Sequence, residues 1–575
     1  MHDSVRFIGT SAVLAAAIWA AASPAGSTPG QAEQASGDSI VATARFLSGE
    51  TGGGPPSRFA PLPETAFYVE YLASRLDAAL DPLGGSASLM DFDPGFETLG
   101  GDTIRSPYRN VIGVVPGSLP GRPGFFLVGA HLDATAQRDP EFEGSWRTHP
   151  APGADDNASG VAAILEAARV AAVRQIRPEA NLVFAFFDGE EQQIPEPDKF
   201  LLGAETMAAD VMGGLEDAYG PLYGFVNLDM VAYNPRLDSL VVLTNVPSRW
   251  LANRMVDLEA AAPLADFTLT RAVEALAFSD HGPFWAHGYS AVLLIESPDI
   301  QEHAPHYHRA TDVVDNVYLR GGSQARRASD LLLLMLESWA EPEGASGLAV
   351  SGDDLLVTTS TRVDAPVVAS GDSVRVRVGV VNSGATRSEP WRVGLGVEID
   401  GRIVETFDPV PGTVPFPAGA HEFVEFDWVP TNRLSGSPRL VARIEADGND
   451  PAAPGEVKRF VAVQGDVSEI LRAFVYPNPT RLPDRAVLHY ELSRQGAVRL
   501  TLLDLSGREL GMRDLRYDPV FPGPGVGVGA ADLPLRDLFP TGDLAPGMYL
   551  LRIELFDETA TRSVAVEVTR WALLR

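Results

Sequence analysis

The chain has 575 residues, an apolar content of 45% and a formal net charge of −31. That length exceeds one ordinary core and requires several domains, and the acidity argues against a nucleic-acid binder, which needs basic patches to grip phosphates. The absence of cysteine excludes disulfides, thiolate nucleophiles and Cys-ligated zinc, so any metal must be held by His, Asp and Glu.

In chain order, MHDSVRFIGTSAVLAAAIWAAASPAGS places one arginine before an apolar run from Phe7 to about Ala22, followed by small residues. This is the pattern of a signal peptide over residues 1–25, cleaved near Ala22 to Ala25, and it predicts a secreted or cell-surface, extracytoplasmic protein. The run is short for a membrane anchor. A Ser/Pro/Gly/Gln-rich linker, 26–38, follows. Across 39–343 the texture alternates. FYVEYLASRLDAAL, ASGVAAILEAARVAAV and ASDLLLLMLESWA have helical patterning. FFLVGA, LVFAFF, FVNLDM and AVLLIES are short apolar runs rich in strand formers. Buried strands alternating with helices predict an α/β domain around a mixed, largely parallel sheet flanked by helices. Residues 347–464 change to short alternating strands such as DSVRVRVGVVNSG, which predicts a β-sandwich, and 467–575 read as a second all-β block. The GPGVGVGA stretch there is no nucleotide loop, because neither a helix nor a Lys-Ser/Thr pair follows it.

Polar residues interrupt the apolar runs of the α/β region at telling places. FFLVGA ends in His131, LVFAFFDG in Glu190 and Glu191, and FVNL in Asp229. In open α/β sheets, sites form beyond the carboxyl ends of strands, so three strands deliver His, Glu and Asp to one edge. Asp155 stands at the start of a predicted helix, where an anion is favoured as a cap and by the dipole. Each residue alone has a plain reading: a cap for the Asp, a solvated turn for the Glu pair. Four acidic groups at one sheet edge, however, need a counter-charge. Seven of the ten histidines (131, 149, 281, 287, 303, 306 and 308) fall in this region.

The stretches GAHLDA, APGADDNASG, FFDGEE, NLDM, FSDHGPF and YHRATDVVDNV resemble, in order, the motifs of the M28 family of zinc aminopeptidases, over roughly Ser39 to Glu341. The resemblance implies a zinc exopeptidase fold and a dizinc metallo-aminopeptidase that hydrolyses N-terminal bonds of peptides or proteins. It implies His131, Asp155, Glu191, Asp229 and His308 as ligands of two Zn2+ per chain. Asp155 would bridge, His131 and Asp229 would complete one position, and Glu191 and His308 the other. Glu190 would be the general base acting on a metal-bridging hydroxide, Asp133 would hold His131 from behind, and Tyr307 would steady the oxyanion. A cis peptide is implied after the bridge, at Asp155–Asp156. The chemistry is coherent. Nitrogen and oxygen donors suit zinc, and two Zn2+ against three carboxylates leave one positive charge for a hydroxide. In extended backbone Glu190 and Glu191 point opposite ways, one to metal and one to water.

Departures from the family pattern are local. DPEFEGSWRTHP is an insertion, expected as a rim loop with His149 at the surface. Some relatives have Arg where this chain has Phe278 before Ser279, Asp280 and His281, which are read as structural. His303 and His306 are read as loop residues. Residues 347–464 resemble CARDB-like or Ig-like modules. Residues 467–575, through YPNP, LLDLSGREL and LAPGMYLLRI, resemble FlgD-like or type IX secretion sorting modules of secreted bacterial proteins. That resemblance implies contact with the cell surface or secretion machinery, or a spacer. The alternatives on the same fold are a carboxypeptidase, which needs a cationic anchor, a glutaminyl-cyclase-like enzyme, or a non-enzymatic adhesion or receptor-like protein. No G-x-S-x-G elbow occurs, and HEFVE at His421 lacks the second His of H-E-x-x-H.

Overall fold

The structure is a computed structural model that describes residues 7–8, 33–95, 98–99, 102–103, 105, 107–191, 199–236, 238–297, 299, 304–340, 347–365, 367–399, 401–431, 434, 438–447, 455–464, 470–476, 478–480, 485–492, 497–505, 507–515, 529–539, 544, 547–556 and 563–573. The expected signal peptide, apart from Phe7 and Ile8, and His303 lie outside the described residues.

The chain divides into two units. The first comprises Met1–Gly347 with the segments Val381–Ser388 and Val414–His421, and the second holds the remainder of both β-rich blocks. The first unit is built on a sheet of β1 (Phe7–Ile8), β2 (Ser86–Phe92), β3 (Tyr108–Val115), β4 (Phe125–His131), β5 (Asn181–Phe187), β6 (Leu222–Leu228), β7 (Asp238–Thr244), β8 (Phe267–Val273) and β9 (Ala291–Ile295). Its spatial order is β1-β2-β3-β5-β4-β6-β9-β7-β8.

The four central strands β5, β4, β6 and β9 are mutually parallel. The flank through β3, β2 and β1 is antiparallel, and on the other side β9 meets β7 antiparallel before β7 and β8 run parallel. The sheet is therefore mixed, and the largely parallel arrangement expected from the sequence holds for its centre and for the β7–β8 pair. Every residue of β4 and of β5 is buried, as a strand covered on both faces requires. Phe125 and Leu127 enter one core cluster with Val183, Phe225 and Phe284. On the opposite face Phe126 stacks on Trp339, ring centroids 3.9 Å apart, at the end of helix α5.

The principal helices are α1 (Gly37–Leu47), α2 (Ala66–Leu80), α3 (Ala158–Arg174), α4 (Arg249–Ala261) and α5 (Ser323–Ala340). Alanine-rich α3 is buried almost all round, as a helix wedged between the sheet and its neighbours must be. It starts at Asn157, whose side chain accepts the Gly160 N–H at 3.0 Å. The cap is thus Asn157, not Asp155, and only this residue's carbonyl has the standard reach to the third N–H of the helix. A side chain at Gly160 would meet Leu228 O at 2.7 Å, so glycine lets α3 approach the end of β6.

The second unit is all-β among its described residues apart from short turns of helix. Strands Ile470–Tyr476, Val487–Leu492 and Gly529–Pro534 form one sheet. Glu509–Asp514, Ala497–Asp504, Gly547–Phe556 and Ser563–Leu573 form another. Leu488 and Tyr490 from the first and Leu500, Ile553 and Trp571 from the second share one core, so the C-terminal block is two sheets packed face to face.

Candidate metal centre

The carboxyl ends of the parallel strands converge. His131 is the last residue of β4 and pairs in register with Phe187, the last residue of β5. The chain then turns through Asp188 and Gly189, whose φ of 72° favours glycine, to Glu190 and Glu191. Asp229 follows β6 directly. His308 arrives from the segment after β9, itself in the left-handed region at φ 56°.

The pairwise geometry is close. His131 Nε2 lies 3.1 Å from Asp156 Oδ1 and 3.3 Å from Asp229 Oδ1. His308 Nε2 lies 3.0 Å from Asp156 Oδ2 and 3.1 Å from Glu191 Oε2. Two triplets, His131–Glu190–Asp229 and Asp156–Glu191–His308, each bring one donor atom per residue within 4.8 Å of the others. Asp156 is the residue common to both histidines.

The expected bridging residue was Asp155, and the structure does not bring it to this cluster. Its Oδ1 accepts the Ala232 N–H at 2.9 Å, and its carboxyl lies against Glu296. Asp312 supplies the physical reason: its two oxygens accept the N–H groups of Asp155 at 3.0 Å and Asp156 at 3.2 Å. That clamp turns the Asp156 side chain toward the histidines and the Asp155 side chain toward Ala232. The non-proline cis bond likewise lies at Asp156–Asn157, one residue after the expected place.

Burial raises the two glutamates of the cluster and Asp155 beside it, and mutual repulsion adds to it. Glu191 and Asp155 are pushed up to about 7, and Glu190 stands well above the carboxylate range. Burial also pulls the two histidines down, but neighbouring carboxylates outweigh it. Glu191 and Asp156 lift His308 to about 10, and Glu190 and Asp229 lift His131 well above its ordinary value. Asp156 is buried too, yet its bonds to both histidines hold its carboxyl well below the usual range. Buried carboxylates crowded against two histidines, each shifting the other, make the electrostatic setting of a cation position.

The donor set fits zinc. It consists of imidazole nitrogens and carboxylate oxygens. The spacings of 3.0–3.3 Å between them lie at or just under the roughly 3.3–3.4 Å edge of a tetrahedron with bonds of roughly 2.0–2.1 Å.

Supporting residues complete the site. Asp133, fully buried, faces His131 Nδ1 at 3.6 Å, and its two oxygens accept the N–H groups of Glu190 at 3.0 Å and Glu191 at 3.2 Å. One carboxylate thus orients both glutamates as well as the histidine. Tyr307 lines the cavity with its ring tilted against His308, and burial beside Asp156 and Glu191 keeps its phenol protonated and able to donate. Ser279 Oγ receives a bond from Asn227 Nδ2 at 2.9 Å, and His281 Nε2 donates to Leu276 O at 2.8 Å. Asp280 is fully buried with its charge felt at Glu190. His306 bonds Thr311 Oγ1 at 2.9 Å, away from the cluster.

The insertion follows directly on the cavity-lining residues Gln137 and Arg138, and none of its own residues lines the cavity. Phe142 and Trp146 are buried against Phe59. His149, expected at the surface, is mostly buried and sits 3.2 Å from Asp139. Asp139 in turn takes the Ala310 N–H at 2.8 Å. This anchoring brings up Gln137, whose Nε2 lies 3.1 Å from His308 Nδ1, and Arg138. Neither was singled out from sequence. Gln137 stands six residues after His131 in a segment without periodicity, and only the folded loop reveals it.

Residues 110–330 match the model of peptidase family M28. That span contains every residue of the cluster, from His131 to His308. The chain is 30% identical over 206 residues to a probable leucine aminopeptidase 1 of Trichophyton verrucosum, covering 34% of this chain and 51% of that one. It is 38% identical over 107 residues to a probable zinc metalloprotease of Pyrenophora teres f. teres, covering 19% of each. It thus spans about half of the first relative's length and less of the second's. Among solved structures, a leucine aminopeptidase precursor from Bacteroides thetaiotaomicron superposes with a TM-score of 0.41 at 20% identity, covering 53% of this chain and 98% of that one.

Proposed function

We propose that the α/β unit is a zinc-dependent aminopeptidase with two metal positions, acting on the N-termini of peptides or proteins. The observation that carries this reading is Asp156, with one oxygen on His131 and the other on His308. His131, Asp156 and Asp229 would hold one ion, and Asp156, Glu191 and His308 the second. Zinc bound there would supply Lewis acidity, easing ionisation of water and polarising the scissile carbonyl.

The chain's own groups do the rest. Glu190, grouped with His131 and Asp229, takes the proton of the attacking water and returns it to the leaving amine. Asp133 fixes the backbone that carries Glu190. The Tyr307 hydroxyl donates to the oxygen on which charge develops. The cavity, about 490 Å3, is lined by Asp156, Glu190, Glu191 and Asp229 and by apolar Phe200 and Phe278. An acidic floor suits a substrate ammonium, and the phenylalanines suit an apolar N-terminal side chain.

The export reading rests on the N-terminal apolar run, and the two β-rich blocks are read as an Ig-like or CARDB-like module followed by an FlgD-like or sorting-like one that either meets the cell surface or secretion machinery or serves as a spacer. Metal content and leucine-amide hydrolysis on one purified sample test the enzyme. The expected result is about two zinc ions per chain and a Glu190→Gln variant that keeps its metal while losing roughly 10²–10⁴ in kcat. Cleavage of N-acetyl-Leu-Gly without release from leucine amide would overturn the aminopeptidase reading in favour of a carboxypeptidase.

A further inference from the structure

Among the described residues lining the cavity, Arg138 is the only lysine or arginine. Its backbone is held firmly: the Arg138 N–H donates to His308 O at 3.0 Å, and Arg309 Nη1 donates to Arg138 O at 3.0 Å. Its guanidinium carbon lies 4.4 Å from the centre of the Tyr307 ring. Among the described residues no carboxylate pairs with it, although four line the same cavity. The adjacent Arg309, by contrast, is paired with Asp139 at 3.2 Å. Stacking on an aromatic ring occupies the face of a guanidinium and leaves its N–H edge open, the edge that grips carboxylates in bidentate fashion.

Position gives the open edge a use. Tyr307 is the residue placed at the scissile carbonyl, and Arg138 lies one ring contact beyond it. One residue of extended peptide spans roughly 3.5 Å. A group on the residue that follows the scissile bond therefore falls within reach of Arg138. We propose that Arg138 determines specificity by binding a carboxylate carried by that residue, either the C-terminal carboxylate of a dipeptide or the side-chain carboxylate of Asp or Glu. The inference rests on the aminopeptidase reading above and deepens it: the preferred substrates are dipeptides and peptides with an acidic second residue. The DPEFEGSWRTHP insertion supplies the support, since Phe142, Trp146 and the Asp139 contacts anchor the turn that carries Arg138.

The test uses the full-length, zinc-loaded protein and two substrate pairs, each matched except for one carboxylate. Leu-Gly against Leu-Gly-amide reads the C-terminal carboxylate, and Leu-Glu-amide against Leu-Gln-amide reads the side chain. The expected wild-type ratio of kcat/KM is about tenfold in favour of the acidic member of at least one pair, the lower end for a charge-assisted bond at a partly open site. Arg138→Gln brings that ratio down to about one, and Arg138→Lys, a point charge without the planar fork, leaves it in between. A wild-type ratio near one in both pairs overturns the proposal while leaving the aminopeptidase reading intact. A fall by the same factor on both members of a pair also overturns it, because Arg138 would then act only by holding Tyr307. Absence of leucine release from all four peptides defeats the aminopeptidase reading, and the proposal with it.

Discussion

Asp133→Asn is the sharpest test of how the centre is held. The native carboxylate is fully buried, accepts two backbone N–H groups at 3.0 and 3.2 Å and faces His131 Nδ1. Asparagine keeps the shape but has one oxygen. Its amide NH2 must point at one of three donors, so one accepted bond becomes a donor facing a donor. Losing a charge-assisted hydrogen bond costs about 1.5–3 kcal/mol, and a buried unsatisfied N–H costs about 1–3 kcal/mol more. A destabilisation of about 3 kcal/mol is therefore expected, read by chemical denaturation of the metal-free protein. The same change releases His131 and the backbone of both glutamates, and loss of such a supporting partner lowers metal affinity by roughly 10- to 100-fold. Zinc competition against a chelator measures that directly. A variant within about 0.5 kcal/mol of wild type, the range of an ordinary surface substitution, and with unchanged zinc affinity would refute the reasoning.

The adjacent aspartates are predicted to separate cleanly. Asp156→Asn loses bound zinc, because that carboxylate meets both histidines, whereas Asp155→Asn keeps wild-type metal content, its carboxyl facing Ala232 and Glu296 instead; metal analysis of the two variants decides, and equal loss would sink the assignment. His281 predicts a pH dependence of stability. Burial depresses its pKa to about 4, against the opposing pull of its bond to Leu276 O, so it is neutral in the fold. A group depressed on folding contributes stability that is complete above its unfolded value, near 6.5, and is lost as pH falls toward 4. Across that window the loss is about 3 kcal/mol, and unfolding curves of metal-free protein should show a shallower slope for His281→Gln. An unchanged slope would mean that His281 is not the titrating group.

The central strands were legible because burial on both faces leaves no polar alternation. FFLVGAH and LVFAFF are continuous apolar runs, and all seven positions of β4 and of β5 are buried. The strands at the sheet margins were not legible in the same way. β8 has half-exposed and exposed residues throughout, and a strand in such surroundings has no obligatory pattern. Strand direction was equally hidden. A run of apolar residues pairs as readily either way, and the direction is set by the connections, so the antiparallel pairing of β9 with β7 appears only in the fold.

The site shows where local reading stops. His131, Glu190, Glu191 and Asp229 stand at the ends of apolar strands, so chain position alone brings them to one edge. Asp155 and Asp156 are chemically identical neighbours, and which one faces the histidines depends on how the backbone between them is turned. That turn is fixed by Asp312, which lies 157 residues beyond Asp155 in the chain and binds both N–H groups. The letters of GADDNASG alone do not carry the whole of this information. The position of the helix cap does carry part of it: Asn157 caps α3 through Gly160 N–H, so the residue next to the cap, not the one before it, stands closest to the helix mouth and the sheet edge. In a D-D-N run ahead of a buried helix, the cap should be assigned first and the metal-facing carboxylate counted back from it.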